Sequence, residues 1–236
     1  MGRRLKSQRR GKGTPKYIAT INAKFNITYK LYPDVIKGQV IDFITDPVRS
    51  APIAEVLLDD GRKDYFIAAE GVSTGDILEF GNKAKSANGN VLPLGEIIEG
   101  SNIFNIEKTY GDGGKFVRAG GQSAILINKK EDIAFVKLPS GKIKQFALNV
   151  RATLGRIAGG GRQAKPLFTA GNAYYAHKAK HKPNKIVRGV AQNSVDHPFG
   201  GGAHHVGHSK STSRHDPAGR KVGAIASKRT GRKKKG

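Results

Sequence analysis

Cysteine and tryptophan are absent from this chain, and methionine occurs only once. The lack of cysteine excludes disulfide bonds and metal sites built on thiolates. Long apolar runs are also missing, and the N-terminal stretch is charged and polar, which argues against a membrane span and a signal peptide. Acidic residues are scarce, since 18 Asp and Glu face 42 Lys and Arg, for a formal net charge of +24. A chain this basic usually binds a polyanion, and we predict a nucleic acid.

The positive charge is concentrated towards both ends of the 236-residue chain. Residues 1–32 hold nine Lys and Arg and no acid, and residues 151–236 hold nineteen against Asp196 and Asp216. Residues 33–150 are close to neutral, with fourteen Lys and Arg against sixteen acids. We therefore predict a folded core that carries two strongly basic extensions.

The near-neutral core has the pattern of short β-strands. Runs rich in Val, Ile, Leu and Phe alternate with turn signals, as in small barrels and sandwiches. The predicted strands are residues 39–44, 54–58, 64–69, 76–80, 92–98, 102–108, 124–128, 133–138 and 143–148. Asp59-Asp60-Gly61 and Leu138-Pro139-Ser140-Gly141 are predicted turns. No helical period of ten or more residues stands out, so we expect two small barrels and no long helix.

The C-terminal extension has a different composition. Residues 151–236 hold fourteen of the chain's 31 glycines and few large apolar residues, among them Phe168, Tyr174 and Tyr175. Such a segment cannot bury enough apolar surface in water to offset the entropy of ordering it. We expect it to become ordered against a polyanion; the alternative is a flexible, solubilising tail.

Two glycine-rich stretches are candidates for contact with phosphates. The first, GDGGKFVRAGGQSA, carries Lys115 and Arg118 and lacks the ending of a nucleotide-binding loop. A wide hairpin turn explains its glycines equally well. In the second, IAGGGRQAKP, three glycines are framed by Arg156, Arg162 and Lys165, which makes it the stronger candidate.

The histidines raise the question of a metal or catalytic site, since all seven lie within residues 177–215. His177 and His181 are four residues apart, a spacing that suits two zinc ligands on one helix face. Cysteine is absent, however, the nearest acid is Asp196, and the basic surroundings repel a cation, so we predict no metal. Asp196 and His197 superficially suggest a catalytic pair, but no nucleophile elbow accompanies them. We predict instead that these side chains contact RNA.

Five blocks of the sequence, in the same order, strongly resemble the large ribosomal subunit protein two family. They are LPLGEIIEGSNIFNIEKTYGDGGKFVRAGGQSAILI, VKLPSGKIKQF, RATLGRIAGGGR, HKPNKIVRGVAQNSVDHPFGGGAHH and GRKVGAIASKRTGRKKK. The resemblance covers essentially the whole chain, and VDHPFGGG is a highly specific motif. The histidine-rich segment after the glycines and the closing GRKVGAIASKRTG resemble the archaeal or eukaryotic branch rather than the bacterial one, and the short N-terminal arm agrees with an archaeal member. Phe199 departs from the bacterial pattern, which has a histidine there.

The resemblance implies a mainly β protein with an oligonucleotide-binding-type barrel at residues 33–85 and a Src-homology-3-like barrel at residues 86–165. Residues 1–32 and 166–236 would be extensions, the second embedded in ribosomal RNA. It implies a structural, non-enzymatic constituent of the large subunit that organises RNA near the peptidyl-transferase centre and supports subunit association. The partners would be large-subunit rRNA, neighbouring ribosomal proteins and the small subunit, in the cytoplasm, with no membrane and no homo-oligomer. No cofactor is expected apart from magnesium carried by the rRNA.

Composition and resemblance together predict a set of RNA-contacting residues. They are Arg3, Arg4, Lys6, Arg9, Arg10, Lys12, Lys115, Arg118, Arg151, Arg156, Arg162, Lys165, His177, Lys178, His181, Lys182, Arg188, Asp196, His197, Pro198, Gly200, Gly201, Gly202, His204, His205, Arg214, Arg220, Lys221, Lys228 and Arg229. We expect the glycines after Pro198 to let the backbone pass close to RNA, and Asp196 to fix the bend by accepting a backbone N–H. His197 matches a family histidine whose role in peptide-bond formation is disputed, and we expect it to have no catalytic role.

Two other functions fit part of the sequence. An enzyme dependent on a metal or on the histidine cluster would bind zinc tightly. A nucleic-acid chaperone acting outside the ribosome would bind RNA non-specifically, with an affinity that falls steeply with salt.

Overall fold

The computed structural model describes residues 2–18, 24–32, 34–179, 184–201 and 211–229. The chain forms two compact units. One is Ile21–Pro166, here called the barrel unit, and the other combines Met1–Thr20 with Leu167–Gly236 and is called the extension unit. The barrel unit carries twenty Lys and Arg against sixteen acids, whereas the extension unit carries 22 against two. The extension unit therefore supplies most of the net positive charge.

Ten strands of the barrel unit form one sheet. In chain order they are β1 (Ile36–Ile44), β2 (Ile53–Leu58), β3 (Lys63–Ile67), β4 (Ile77–Phe80), β5 (Val91–Pro93), β6 (Asn102–Phe104), β7 (Ala124–Lys130), β8 (Ile133–Lys137), β9 (Ile143–Ala147) and β10 (Arg151–Leu154). Their order across the sheet is β3-β2-β1-β4-β5-β10-β6-β7-β8-β9, with only the β4–β5 pair parallel. β1 and β7 each contain a bulge, which increases strand bending and twist. The mainly β fold is as the sequence predicts.

The buried apolar side chains of the barrel unit form three clusters. The first draws on β1 to β5 and includes Val56 and Phe80. The second draws mainly on the later strands and includes Leu126. The third joins both groups, because it packs Ile53 with Phe104. The two halves of the sheet therefore have separate cores that are tied together by shared apolar contacts.

The two predicted turns are confirmed, and they have the same construction. In the β2–β3 hairpin, the Leu58 N–H donates to the Arg62 carbonyl at 2.9 Å and the Gly61 N–H donates to the Leu58 carbonyl at 2.9 Å. In the β8–β9 hairpin, Leu138 and Gly141 make the equivalent bonds, the second at 2.8 Å. Both glycines have a φ near +80°, at 79° and 80°. The left-handed position in each turn explains why glycine stands there.

Three expectations about secondary structure are wrong in detail. The strand expected at residues 102–108 ends at Phe104, because Asn105 has a φ of 49° and leaves the extended conformation. The strand expected at residues 92–98 is only Val91–Pro93, because the chain turns after Pro93, with the Glu96 N–H donating to the Pro93 carbonyl at 3.0 Å. β10 was not expected, because all four of its residues are buried and it shows no alternation of apolar and polar positions.

The extension unit contains the helices α1 (Lys6–Gly11) and α2 (Ala170–Ala179), together with a two-stranded parallel ladder, β11 (Ser211–Thr212) and β12 (Ala224–Ile225). The ten-residue α2 contradicts the expectation that no such helix exists. No described side chain of α2 is buried. Because the helix covers no core, its sequence needs no apolar face, and the helical period that would have predicted it is missing. In the described part of this unit, Leu5 is the one buried hydrophobic residue. The extension unit therefore has no apolar core of the kind that holds the barrel unit together.

Candidate nucleic-acid interface

In the extension unit, the N-terminal segment contacts the part of the C-terminal extension around residue 195. The Arg3 N–H donates to the carbonyl of Val195 at 2.8 Å, and the Arg3 guanidinium lies 3.6 Å from the Asp196 carboxylate. Leu5, which directly precedes α1, is only 7% exposed. The basic N-terminal segment thus lies against the VDHPFGG turn, so cations that are remote in sequence belong to one surface.

The VDHPFGG turn is held by its own backbone. The N–H groups of Asp196 and His197 both donate to the Asn193 carbonyl, at 3.0 and 3.1 Å, and the Gly200 N–H donates to the His197 carbonyl at 2.9 Å. A Cβ on Gly200 would overlap the carbonyl oxygens of Gln192 and Asn193. Gly200 is therefore required by the packing of the turn on itself, and its close approach to RNA stays an untested prediction.

The side chains of the turn also differ from expectation. The Phe199 N–H donates to His197 Nδ1 at 3.0 Å, so the histidine, and not Asp196, accepts a backbone N–H in the bend. An accepting Nδ1 in a neutral imidazole carries no proton, which leaves the proton on Nε2 as a donor. The Asp196 carboxylate is instead paired with Arg3. The phenyl ring of Phe199 lies 5.2 Å from the imidazole, with the two rings tilted.

A cleft of about 820 Å³ opens beside this turn. Cationic side chains of both chain ends line it, together with Asp196 and the apolar residues Ile186 and Val187; the cations are Arg3, Lys6, Arg9 and Arg188. Amide groups of Gln192 and Asn193 lie in the same wall. A mixed lining of cations, amides and apolar groups suits a ligand that has both phosphates and bases.

In the barrel unit, the GDGG stretch is organised around a buried ion pair. The Glu107 side chain is fully buried and receives both Arg151 Nη2, at 2.6 Å, and Arg151 Nε, at 3.1 Å. The Gly113 N–H donates to Glu107 Oε1 at 3.0 Å. Rings of Tyr29 and Tyr110 lie 5.4 and 5.2 Å from the guanidinium. Arg151 is therefore an internal structural residue whose donors and surface are used inside the protein, and its contact with RNA stays an untested prediction.

Arg118 is also turned inwards. Its guanidinium donates to the carbonyls of Gly114 and Ile27, at 2.5 and 2.7 Å, and the residue is half-buried. Burial lowers the pKa of Arg118, and repulsion from Arg49 lowers it further. These bonds tie the glycine-rich loop to the segment before β1. A contact of Arg118 with a phosphate stays an untested prediction, and Lys115 beside it is exposed.

The two glycine-rich stretches pack on each other. A Cβ on Gly121 would overlap the Cα of Gly160, and the Gly121 N–H donates to the Ile157 carbonyl at 3.0 Å. The Arg156 Nε donates to the Gly121 carbonyl at 3.0 Å. The close approach that glycine permits is therefore made to the chain itself. Arg156, Arg162 and Lys165 remain exposed around this contact.

The remaining predicted contacts fall into three groups. Those exposed in the extension unit are Arg3, Arg4, Lys6, Arg9, Arg10, Lys12, Lys178, Arg188, Pro198, Gly201, Arg214, Arg220, Lys221, Lys228 and Arg229. Those partly buried there are His177, Asp196, His197 and Gly200. His181, Lys182, Gly202, His204 and His205 lie outside the described residues.

Sequence reasoning did not include three exposed aromatic residues of the extension unit. Phe168, Tyr175 and Tyr174 are 87%, 67% and 48% exposed. The sequence did contain an indication of them, because large aromatic residues are unusual in a stretch that is otherwise poor in apolar residues.

Two searches of the described residues bear on other kinds of site. Within them, no helix combines the length and apolarity needed to cross a membrane. Among the same residues, His, Asp and Glu side chains do not gather in a group of three that could hold a metal ion.

The chain matches two models of one protein family. Residues 5–80 match the RNA-binding N-terminal domain of ribosomal proteins L2, and residues 87–221 match their C-terminal domain. Similar proteins named large ribosomal subunit protein uL2 come from Haloarcula marismortui, at 50% identity, and Halorubrum lacusprofundi, at 49%, each over 98% of both chains. The protein of that name from Methanosphaera stadtmanae is 48% identical over 99% of this chain and 100% of its own length.

Proposed function

The chain belongs to the ribosomal protein L2 family, and on that premise we propose that it is a structural, RNA-binding constituent of the large ribosomal subunit. The observation that carries the proposal is the extension unit, which gathers 22 Lys and Arg against two acids around one buried hydrophobic residue among those described. A surface this basic with so little core requires a polyanion to neutralise and order it. Ribosomal RNA is the polyanion that the family model and the relatives' name indicate.

The exposed cations would act by neutralising phosphates rather than by reading sequence. Phosphate contacts position a protein on RNA, and because they are distributed over many side chains, each contributes little by itself. The barrel unit would dock on folded RNA by its shape, presenting Lys115, Arg156, Arg162 and Lys165. We assign an oligonucleotide-binding-type barrel to residues 33–85 and a Src-homology-3-like barrel to residues 86–165.

We propose in addition that the protein organises RNA near the peptidyl-transferase centre and supports the association of the two subunits. Neighbouring ribosomal proteins and the small subunit would be its further partners, in the cytoplasm. A catalytic role is not proposed. Asp196 pairs with Arg3 and His197 Nδ1 accepts the Phe199 N–H, so the two side chains do not form an acid–histidine relay.

The test is sedimentation of a native lysate on sucrose gradients at high and low magnesium, with this chain quantified in every fraction. We expect one copy per large subunit, retained after the subunits separate at low magnesium. Sedimentation mainly as free protein would refute the proposal and favour a chaperone outside the ribosome. Stoichiometric zinc remaining in the purified protein after chelation would favour the metalloenzyme instead.

A further inference from the structure

Helix α2 does not have the contacts that normally stabilise a helix. It is ten residues long, and isolated helices of this length are marginal in water. Gly171 and Asn172 lower its intrinsic propensity further, and none of its described side chains is buried. Its cap is local, with the Asn172 N–H donating to Thr169 Oγ1 at 3.3 Å. The helix therefore needs an external partner to cover it.

The side chains that such a partner would meet are aromatic. Phe168 directly precedes the cap and is 87% exposed, and Tyr174 and Tyr175 are 48% and 67% exposed. The two tyrosine rings are edge to face, with centroids 5.4 Å apart and planes at 79°, so the edge of one ring meets one face of the other, and the exposed surface lies on the remaining faces. Adjacent helical residues point about 100° apart. The rings thus present separate faces, and not the single flat apolar stripe that a membrane or a partner helix requires.

The charge around these rings selects an anionic partner. No Asp or Glu occurs in residues 133–195. Lys178 lies four residues after Tyr174, on the same side of α2, and makes no ion pair within the part of the chain that the structure describes. His177 also lies in the last turn, where its Nδ1 is 2.7 Å from the Ala173 carbonyl. A cation beside an open ring is the arrangement that binds a base together with its flanking phosphate.

We propose that Phe168, Tyr174 and Tyr175 form a stacking platform for unpaired nucleobases of a single-stranded RNA segment, with Lys178 on an adjacent phosphate. The inference rests on the proposed RNA-binding function and adds the class of RNA that this surface takes. Bases in a duplex are stacked on each other and offer no free faces, so the platform discriminates against paired RNA. The cations elsewhere in the extension unit bind the phosphates of either form, and phosphate contacts do not require exposed base faces.

The test compares a short single-stranded oligoribonucleotide containing one 2-aminopurine with the same strand annealed to its complement. The full-length protein is titrated with each probe, and affinity is measured by fluorescence anisotropy at several salt concentrations. We expect the wild type to prefer the single strand and to change the 2-aminopurine emission. Replacing Phe168, Tyr174 and Tyr175 with leucine keeps apolar side chains and does not lower the helix propensity of α2, but it removes the rings. Single-strand affinity should then fall roughly tenfold or more, while duplex affinity and the salt dependence stay unchanged.

Two further variants sharpen the result. Tyr174→Phe with Tyr175→Phe keeps both rings and should bind as the wild type does. Tyr110→Leu is the matched control, because Tyr110 is also 48% exposed but lies in the barrel unit, and it should keep the single-strand preference. An equal loss for single strand and duplex in the leucine variant would mean a structural role and overturn the proposal. An unchanged preference would overturn it too and leave the rings to a protein partner. If the wild-type protein bound neither RNA probe at low salt, the proposed RNA-binding function itself would fail, and this result differs from both outcomes above.

Discussion

At the scale of the residue, the same side-chain type serves opposite purposes in different parts of this chain. Arg118 lies in a glycine-rich stretch and Arg151 opens the RATLGRIAGGGR block, which both suggest RNA contact, yet both side chains donate hydrogen bonds inside the barrel unit. Arg3 and Arg188 are exposed at the cleft of the extension unit. The difference lies in the partners, because Arg151 meets the buried Glu107 whereas the extension unit has almost no acid.

The buried pair should be the most sensitive polar site of the barrel unit. Replacing Glu107 with glutamine leaves Arg151 buried without a counter-charge, and we expect a loss of about 3–5 kcal/mol in the free energy of unfolding. Denaturant unfolding followed by circular dichroism measures it. The control is Asp60→Asn in the exposed Arg62–Asp60 pair, which should leave the midpoint unchanged. Equal midpoints for both variants would show that the buried pair does not stabilise the fold.

Two tyrosines should resist ionisation at high pH. Burial raises the pKa of Tyr29, and burial together with a 2.8 Å hydrogen bond from its hydroxyl to Asp64 raises the pKa of Tyr32. Because both pKa values are higher in the folded protein, their contribution to stability is complete below about pH 10 and is lost as pH rises towards the folded values.

The absence of tryptophan and cysteine makes the near-ultraviolet absorbance of the phenolates a direct measure of this effect. In a titration to high pH, we expect Tyr29 and Tyr32, two of the seven tyrosines, to ionise only when the protein unfolds. Tyr29→Phe with Tyr32→Phe should remove the late phase. A late phase that persists in this variant would contradict the assignment.

At the scale of the element, β10 and the loops around it explain why glycine-rich motifs are required. β10 lies between β5 and β6, so it joins the strand that pairs with β4 to the strands from β6 to β9. The stretch that follows it packs Gly160 against Gly121. The two glycine-rich stretches, which resemble phosphate-binding loops in composition, therefore stabilise the fold by packing on each other. The same packing fixes the positions of the exposed cations beside them.

Gly121→Ala should destabilise the barrel unit more than a comparable glycine change elsewhere. Gly121 has a φ of 74° and its Cβ would overlap backbone, whereas Gly141 has a φ of 80° with open space around it. The left-handed conformation alone costs alanine about 1–2 kcal/mol at either site, and the overlap adds roughly 1–3 kcal/mol at Gly121. Unfolding midpoints of the two variants measure the difference. Equal losses would mean that the loop relaxes and that the close approach is not required.

At the scale of the whole molecule, the apolar cores and most of the net positive charge lie in different units of the chain. The barrel unit has apolar cores and little net charge. The extension unit is strongly basic, and Leu5 is the one buried hydrophobic residue in its described part. The strongly basic N-terminal segment joins the C-terminal one in the same unit, through contacts such as that of Arg3 with Val195. Removing either end therefore disturbs a shared surface.

Truncation after residue 166 should separate the two functions. The shortened chain keeps β10 and should unfold cooperatively, near the midpoint of the full chain, but it should not sediment with large subunits because it has lost +13 of the +24 net charge. A chain that ends at residue 150 lacks β10 and should not fold at all. Normal incorporation of the 166-residue chain into large subunits would contradict the importance of the extension unit.

The sequence by itself determined the properties that add up along the chain. Net charge, its concentration towards both ends, the short strands with their glycine turns and the family resemblance all depend on composition and local pattern. Tertiary structure decided which cations are exposed and which glycines pack against the chain itself. Glu107 and Arg151 are 44 residues apart, and Gly121 and Gly160 come from separate loops, so neither contact has a local signal. Charge is a property of a residue, whereas burial is a property of the residues that surround it, and only the folded chain brings those together.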